Sequence, residues 1–339
     1  NRKEARRAIS DFINKTKIPF CNTQMGKGAV DESSDYFLGT AALSDKDYLH
    51  DYIRSSDLII NIGHDVVEKP PFFMEHGGTS VVHINYKSAQ VDQVYFPQME
   101  VIGDIALSMD ALADCFGLDS SFALKEFYQV RDFVRHMTTA SLEEISFPPK
   151  PQHLVAQIRQ SMGYHDIITL DNGVYKIWFA RNYPAFQPNT ILLDNALATM
   201  GAGLPSAMTA AMLYPNRKVM AICGDGGFMM NSQELETAVR LKLNLVVLIL
   251  NDSSYGMIRW KQEGMGFKDW GLEYSNPDFS LYAQSYGVTP HAIQEHNSLP
   301  IVIDEAFESG GVHLIDLPVD YSDNVKNLIS DLTEHEPVI

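Results

Sequence analysis

The stretch that decides the fold runs Val219-Met220-Ala221-Ile222-Cys223-Gly224-Asp225-Gly226-Gly227 and resumes at Leu245-Val246-Val247-Leu248-Ile249-Leu250-Asn251-Asp252-Ser253-Ser254. Two apolar, β-branched runs of strand length are separated by a helical pattern over 232–242, with Gly-Asp-Gly-Gly between the first run and that helix read as a loop. Continuous apolar runs of this kind suit strands buried on both faces of a parallel sheet. A single right-handed crossover then makes them neighbours, and Asp225 and Asp252 leave the sheet at the same end. That end is where open α/β sheets bind ligands. Two carboxylates there suit a hard divalent cation such as Mg²⁺ or Ca²⁺, which takes oxygen ligands. The glycines allow backbone N–H groups to approach a phosphate, aided by the positive end of the following helix.

Outward from this stretch the same alternation continues. Helical spacing is expected over 2–14, 46–55, 104–115, 154–162, 205–213, 279–286 and 323–332, and strands over 18–21, 58–62, 80–85, 101–102, 166–170 and 312–317. The strand at 58–62 reads as buried, and Asp171-Asn172-Gly173 as a turn. Texture changes between 119 and 152, where a charged helical stretch over 122–137 leads into Phe147-Pro148-Pro149-Lys150-Pro151. Neither a helix interior nor a central strand tolerates that proline density. The chain therefore divides into a first domain over 1–118, a connecting segment over 119–152 and a second domain over 153–339. Both are expected to be α/β, Rossmann-like or doubly wound, with mostly parallel sheets.

The bulk properties narrow the function. A net charge of −17 without any basic run argues against nucleic-acid or anionic-membrane partners. No apolar run reaches about 18 residues, so no membrane-spanning helix is expected. Cys21, Cys115 and Cys223 share no metal or redox spacing. Cys115 and Cys223 lie in apolar stretches and are expected to be buried thiols. With no signal-peptide pattern in the opening residues, a cytoplasmic location is expected.

Gly-Asp-Gly-Gly alone is a common turn. The full arrangement of strand, GDGG, helix, strand and Asn251-Asp252-Ser253-Ser254 resembles the diphosphate-binding motif of thiamine-diphosphate enzymes. Further similarity to acetolactate synthases of the catabolic, FAD-independent type lies in Gly226-Gly227-Phe228-Met229, in Glu234 to Lys242, in Asn251 to Tyr255 and in the tail Pro318 to Asn324. The resemblance implies that Asp225 and Asp252 ligate Mg²⁺ through their side chains and Ser254 through its carbonyl. It implies that Gly226 and Gly227 present N–H groups to the diphosphate, with Asn172 and Gly173 on its far side. Gly224, Tyr255, Gly256 and Met257 complete the implied cofactor shell. Ala198 to Pro205 resembles the family's second cofactor segment. There Met200 would prop the bent cofactor, and the Ala198 carbonyl would accept from its 4′-amino group. Met257 and Trp260 are implied for the substrate pocket.

The implied activity is decarboxylation of pyruvate and ligation of the product to a second carbonyl, giving 2-acetolactate. Other thiamine-dependent reactions on glyoxylate, oxalyl-CoA or an aromatic 2-oxo acid remain open, as does a nucleotide-binding regulatory protein without thiamine chemistry. The first domain looks like the family's middle domain. Its Gly63-His64-Asp65-Val66-Val67-Glu68-Lys69-Pro70 departs from the Arg-rich segment of FAD-binding members, which counts against FAD. The GxGxxG spacing is absent, and His64 is expected at the surface or an interface. The family's catalytic glutamate lies in an N-terminal pyrimidine-binding domain, so no catalytic acid is expected within these residues. The chain reads as a fragment of an intact homodimer or homotetramer.

Overall fold

The computed structural model describes residues 2–41, 48–64, 74–91, 93, 95–116, 122–139, 146–295 and 298–324. They fall into two compact units that divide between Met137 and Thr138. All strand pairings within the described sheets are parallel, as expected for a mixed α/β chain.

In the first unit, helix α1 (Arg2–Thr16) precedes β1 (Phe20–Asn22) and β2 (Phe37–Thr40), which pair with each other. After α2 (Tyr48–Arg54), strands β3 (Leu58–Ile62), β4 (Ser80–Asn85) and β5 (Met99–Ile102) form a second sheet in that order. The period-2 alternation of β4 sends Val81 into one apolar cluster with Leu38, Leu49 and Val134, and Val82 and Ile84 into another. The second cluster joins Ala8, Phe12 and Ile13 of α1 to Ile105, Ala106 and Met109 of α3 (Ile105–Cys115). This sheet is thus covered on both faces. Helix α3 starts where Asp104 accepts from Leu107 N, the side-chain cap its sequence position promises. Helix α4 (Lys125–Thr139) falls in the segment read as a connection.

Several expectations need correction here. Cys115, the last residue of α3, is exposed, because the buried face of that helix is carried by Ile105, Ala106 and Met109; Cys223 is buried. His64 is buried, its ring tilted against Tyr95 with centroids 4.6 Å apart. Strand β3 is only half-buried, and Leu58 is exposed. Most of the 63–70 segment and of the helix expected over 323–332 lies outside the described residues.

The second unit opens with α5 (Pro151–Ser161), whose first residue is the last proline of the run, a position where the missing N–H costs nothing. Lys150 bridges to Asp320 and Asp323 at 2.9 and 3.1 Å and Asp320 N donates to Pro149 O, so this run is tied to the end of the second unit. Strands β6 (Ile167–Leu170), β7 (Ile191–Leu192), β8 (Val219–Gly224), β9 (Leu245–Asn251), β10 (Thr289–Ala292) and β11 (Val312–Pro318) form one sheet ordered β10-β11-β9-β8-β6-β7. Helices α6 (Tyr175–Asn182), α7 (Gly203–Leu213), α8 (Asp225–Asn231), α9 (Glu234–Arg240), α10 (Gly256–Gly264), α11 (Phe279–Ser285) and α12 (Ser298–Ser309) connect them. Strand β9 is buried from Leu245 through Leu250, and the core gathers alternate residues such as Leu245, Val247 and Ile249 with Phe228, Leu235 and Phe279.

The topology fixes where a ligand can bind. From β6 the chain runs outward to β7, then returns past β6 to β8 and continues the other way to β9. The strand order therefore switches between β6 and β8, and a crevice opens at their carboxyl ends. The segment 224–227, read as a loop, is a correction: Asp225 begins α8 directly, because Gly224 is still in the strand and the next residues turn at once into the crossover.

Candidate active site

Strands β8 and β9 pair with Gly224 opposite Leu250. Asp225 therefore emerges level with Asn251, and Asp252 follows one step beyond. On the other side of β8, β6 ends at Leu170 and delivers Asp171, Asn172 and Gly173 to the same edge. A cleft there is lined by Asn172, Gly173, Met200, Asp225, Asp252 and Ser254, among others. Gly224, Gly226, Gly227, Tyr255, Gly256 and Met257 also line it. The structure thus brings together all but two of the residues singled out in the sequence. Ala198 lies on an exposed loop beside the cleft with φ of 48° and is not among the lining residues. Trp260 is buried on α10 with Lys261 Nζ 4.6 Å from its ring centroid, and it does not reach the cleft.

Asp225 is the best-anchored group. Its Oδ1 accepts from Gly226 N at 2.9 Å and Tyr274 Oη at 2.8 Å. Its Oδ2 accepts from Ser253 N at 2.8 Å and Asn276 Nδ2 at 2.6 Å. The Gly226 amide, expected to face a phosphate, is thus also within reach of its neighbour's own carboxylate. Ser253 holds a left-handed φ of 52°, a strained conformation that turns the chain back so that its amide meets Asp225. Asp252 is pushed up to about 7, first by burial and then by the negative charge of Asp225. Two carboxylates share one partly dry cleft, which is costly unless a proton or cation divides them.

The glycines of the motif are required by close approach. A Cβ on Gly227 would stand 3.1 Å from Asp171 Oδ2, and one on Gly226 would stand 2.6 Å from Tyr274 Oη. Asp171 is fully buried and accepts from Asn172 N at 2.6 Å and from Gly201 N at 2.9 Å. Burial raises its pKa, against the lowering effect of those backbone donors. Its contacts fasten the Met200 loop to the end of β6. Asn172 adds a bond to Thr199 O, and Lys176 reaches Asn172 Oδ1.

Reading the sequence alone missed Tyr274, Asn276 and Tyr321. The 272–276 strap returns alongside the Asp252 loop through Tyr255 N to Leu272 O and Tyr274 N to Ser253 O. No periodic pattern marks it. Tyr321 lies in the tail quoted for the family resemblance, and its hydroxyl, like Ser254 Oγ, is buried at the cleft without a hydrogen-bond partner among the described residues. Buried polar atoms are usually paired, so these two point to a polar ligand in the cleft. Two carboxylates, the Ser254 carbonyl, glycine backbone and orphan hydroxyls together fit a cation carrying a phosphorylated group.

A parallel α/β sheet with acidic residues at its switch point defines a ligand-binding domain of the doubly wound class. Residues 171–317 match the thiamine pyrophosphate enzyme C-terminal TPP-binding domain, and residues 1–112 match the central domain of the same enzymes. The chain belongs to the thiamine pyrophosphate enzyme family. It is similar to acetolactate synthase of Bacillus subtilis (strain 168), 30% identical over 335 residues, or 97% of this chain and 58% of that protein. It is 31% identical over 317 residues to the catabolic acetolactate synthase of Raoultella terrigena, covering 91% of this chain and 56% of the relative. A putative thiamine pyrophosphate-containing protein YdaP of Bacillus subtilis (strain 168) is 26% identical over 320 residues, 94% of this chain and 55% of that protein. The chain spans a little over half the length of these relatives. Among the described residues, no helix is long and apolar enough to cross a membrane.

Proposed function

We propose that the cleft at the ends of β6, β8 and β9 holds thiamine diphosphate through Mg²⁺, and that the intact protein converts pyruvate to 2-acetolactate. The observation that carries this reading is the pairing of Asp225 and Asp252 at the ends of adjacent strands, facing one cleft with glycine backbone between them. Asp225, Asp252 and the Ser254 carbonyl hold the cation. Gly226 and Gly227 let the diphosphate approach the backbone, Asn172 and Gly173 close its far side, and Met200 props the cofactor. Ala198 offers its carbonyl from the neighbouring loop. Met257 borders the substrate, and Trp260 supports the helix behind it.

When bound, thiamine diphosphate supplies the electron sink through which a 2-oxo acid loses carbon dioxide. The protein's part is to fix the cofactor, neutralise the diphosphate and exclude water from the reacting centre. In this reading the carboxylate that serves the pyrimidine ring lies outside these 339 residues, and the isolated chain forms no acetolactate. The working protein is a cytoplasmic homodimer or homotetramer that needs no FAD.

The relatives named acetolactate synthase support the pyruvate reaction. A relative named only for its thiamine pyrophosphate keeps another 2-oxo acid as the second reading. Full-length protein assayed with pyruvate, thiamine diphosphate and Mg²⁺ decides between them. Acetolactate formation is expected; decarboxylation without it, or turnover only on another 2-oxo acid, would overturn the assignment.

A further inference from the structure

Two side chains hold Asp225 from outside the strand motifs, Asn276 and Tyr274. The Tyr274 hydroxyl donates to Asp225 Oδ1 at 2.8 Å and lies 3.3 Å from the Ser254 carbonyl oxygen. Those are two of the three oxygens assigned above to the cation. Each oxygen of Asp225 takes one backbone and one side-chain donor, Oδ2 from Ser253 N and Asn276 Nδ2 and Oδ1 from Gly226 N and Tyr274 Oη, but of the two side chains only Tyr274 also reaches the Ser254 carbonyl. The phenol also covers the Gly226 backbone, where a Cβ would stand 2.6 Å from its oxygen.

The ring is held in place independently of its hydroxyl. It packs on Tyr255 with centroids 4.8 Å apart, and Tyr274 N donates to Ser253 O at 3.2 Å. An antiparallel bridge between Ser254 and Glu273 secures the strap on which it rides. A phenylalanine would keep all of this and lose only the donor. A divalent cation needs its oxygen ligands at about 2.0–2.6 Å, with their lone pairs turned toward it. A phenolic hydrogen aimed at the same carboxylate oxygen carries positive charge into that position and opposes the ion.

We propose that Tyr274 sets the cation affinity of this site: its hydroxyl competes with the divalent cation for Asp225 Oδ1 and the Ser254 carbonyl. It must rotate away, or the 272–276 strap must shift, before cation and diphosphate seat. This inference rests on the reading of the cleft as a cation–diphosphate site.

The test is Mg²⁺ binding by titration calorimetry at fixed thiamine diphosphate, on the wild-type chain, Tyr274→Phe and Asp225→Ala. The Mg²⁺-induced shift of the urea unfolding midpoint gives a second readout independent of turnover. Tyr274→Phe is expected to bind Mg²⁺ about tenfold more tightly, the scale of one net hydrogen bond to a charged group, with a larger midpoint shift. Asp225→Ala is expected to lose binding. Equal or weaker binding by Tyr274→Phe, with wild-type binding still dependent on Asp225, would overturn the role of Tyr274 and leave the cleft reading standing. No Asp225-dependent binding in the wild type would sink the cleft reading, and this inference with it. Should Tyr274→Phe fold poorly, Tyr274→Leu repeats the comparison with the same expected direction.

Discussion

Replacing Asp252 with asparagine separates its electrostatic cost from its use as a ligand. Burial and the charge of Asp225 lift Asp252 from 3.8 to about 7. Taken whole, a rise of about three units amounts to about 4 kcal/mol. Asp252 is only half-buried at the cleft mouth, so solvent screening reduces this to roughly 1–3 kcal/mol. The folded pKa lies above the unfolded one, so the penalty is absent below about pH 4. It grows as pH rises toward 7 and is complete above it. In EDTA at pH 8, Asp252→Asn should therefore be more stable than the wild type by about 1–3 kcal/mol, and at pH 4 the two should coincide. With Mg²⁺ and thiamine diphosphate at about a hundred times the dissociation constant, the wild type should gain about 2.7 kcal/mol and the variant almost nothing, bringing the wild type level with or above the variant. Urea unfolding followed by tryptophan fluorescence suits the question, since Trp178, Trp260 and Trp270 all lie in the second unit. If Asp252→Asn is no more stable than the wild type at pH 8 in EDTA, the two carboxylates do not burden each other and the paired-ligand geometry is wrong. An undiminished Mg²⁺ gain in the variant would show that Asp252 is not a ligand.

Gly203→Ala places a Cβ 2.8 Å from Asp171 Cβ and 2.9 Å from Cys223 Sγ, and overpacking there should cost about 1–3 kcal/mol in the same urea experiment. His291 and His313 meet nitrogen to nitrogen at 3.0 Å, and burial, then His313, lowers His291 from its ordinary 6.5. Its contribution to stability is therefore held above about pH 6.5 and lost as pH falls below it. Wild-type unfolding midpoints should drop faster between pH 7 and 5 than those of His291→Gln; parallel profiles would mean that protonating His291 costs the fold nothing. Full-length protein should purify without a stoichiometric flavin absorbance, and a flavin spectrum at one per chain would contradict that expectation.

The legible parts of this chain are those where one physical signal dominates. The runs at Val219 and Leu245 are apolar throughout because both faces of β8 and β9 are buried, and the crossover between them dictates where Asp225 and Asp252 emerge. Helix α6 escaped notice for the opposite reason. Tyr175 through Ala180 are all buried, so no polar face marks the helical period. Strand β7 has two residues, too few for any alternation. The short helix at Asp225 was hidden by its glycines, which read as a turn but are imposed by the nearness of Asp171 and Tyr274. Tyr274 and Asn276 were invisible because they arrive about fifty positions after Asp225 through a strap held by backbone bonds. Nothing in local composition encodes that return. Trp260 follows the Asp252 loop closely in sequence, yet the turn of α10 carries it into the packed side of the helix, away from the cleft.

Asp225 at the end of β8 is proposed to bind thiamine diphosphate through a divalent cation. The most direct measurement is calorimetric titration of thiamine diphosphate into the 339-residue chain with Mg²⁺ and with EDTA, for the wild type and Asp225→Ala. Saturable binding is expected for the wild type with Mg²⁺, and its loss both in EDTA and in Asp225→Ala. Binding of equal strength in Asp225→Ala, or in the wild type with EDTA, would contradict it.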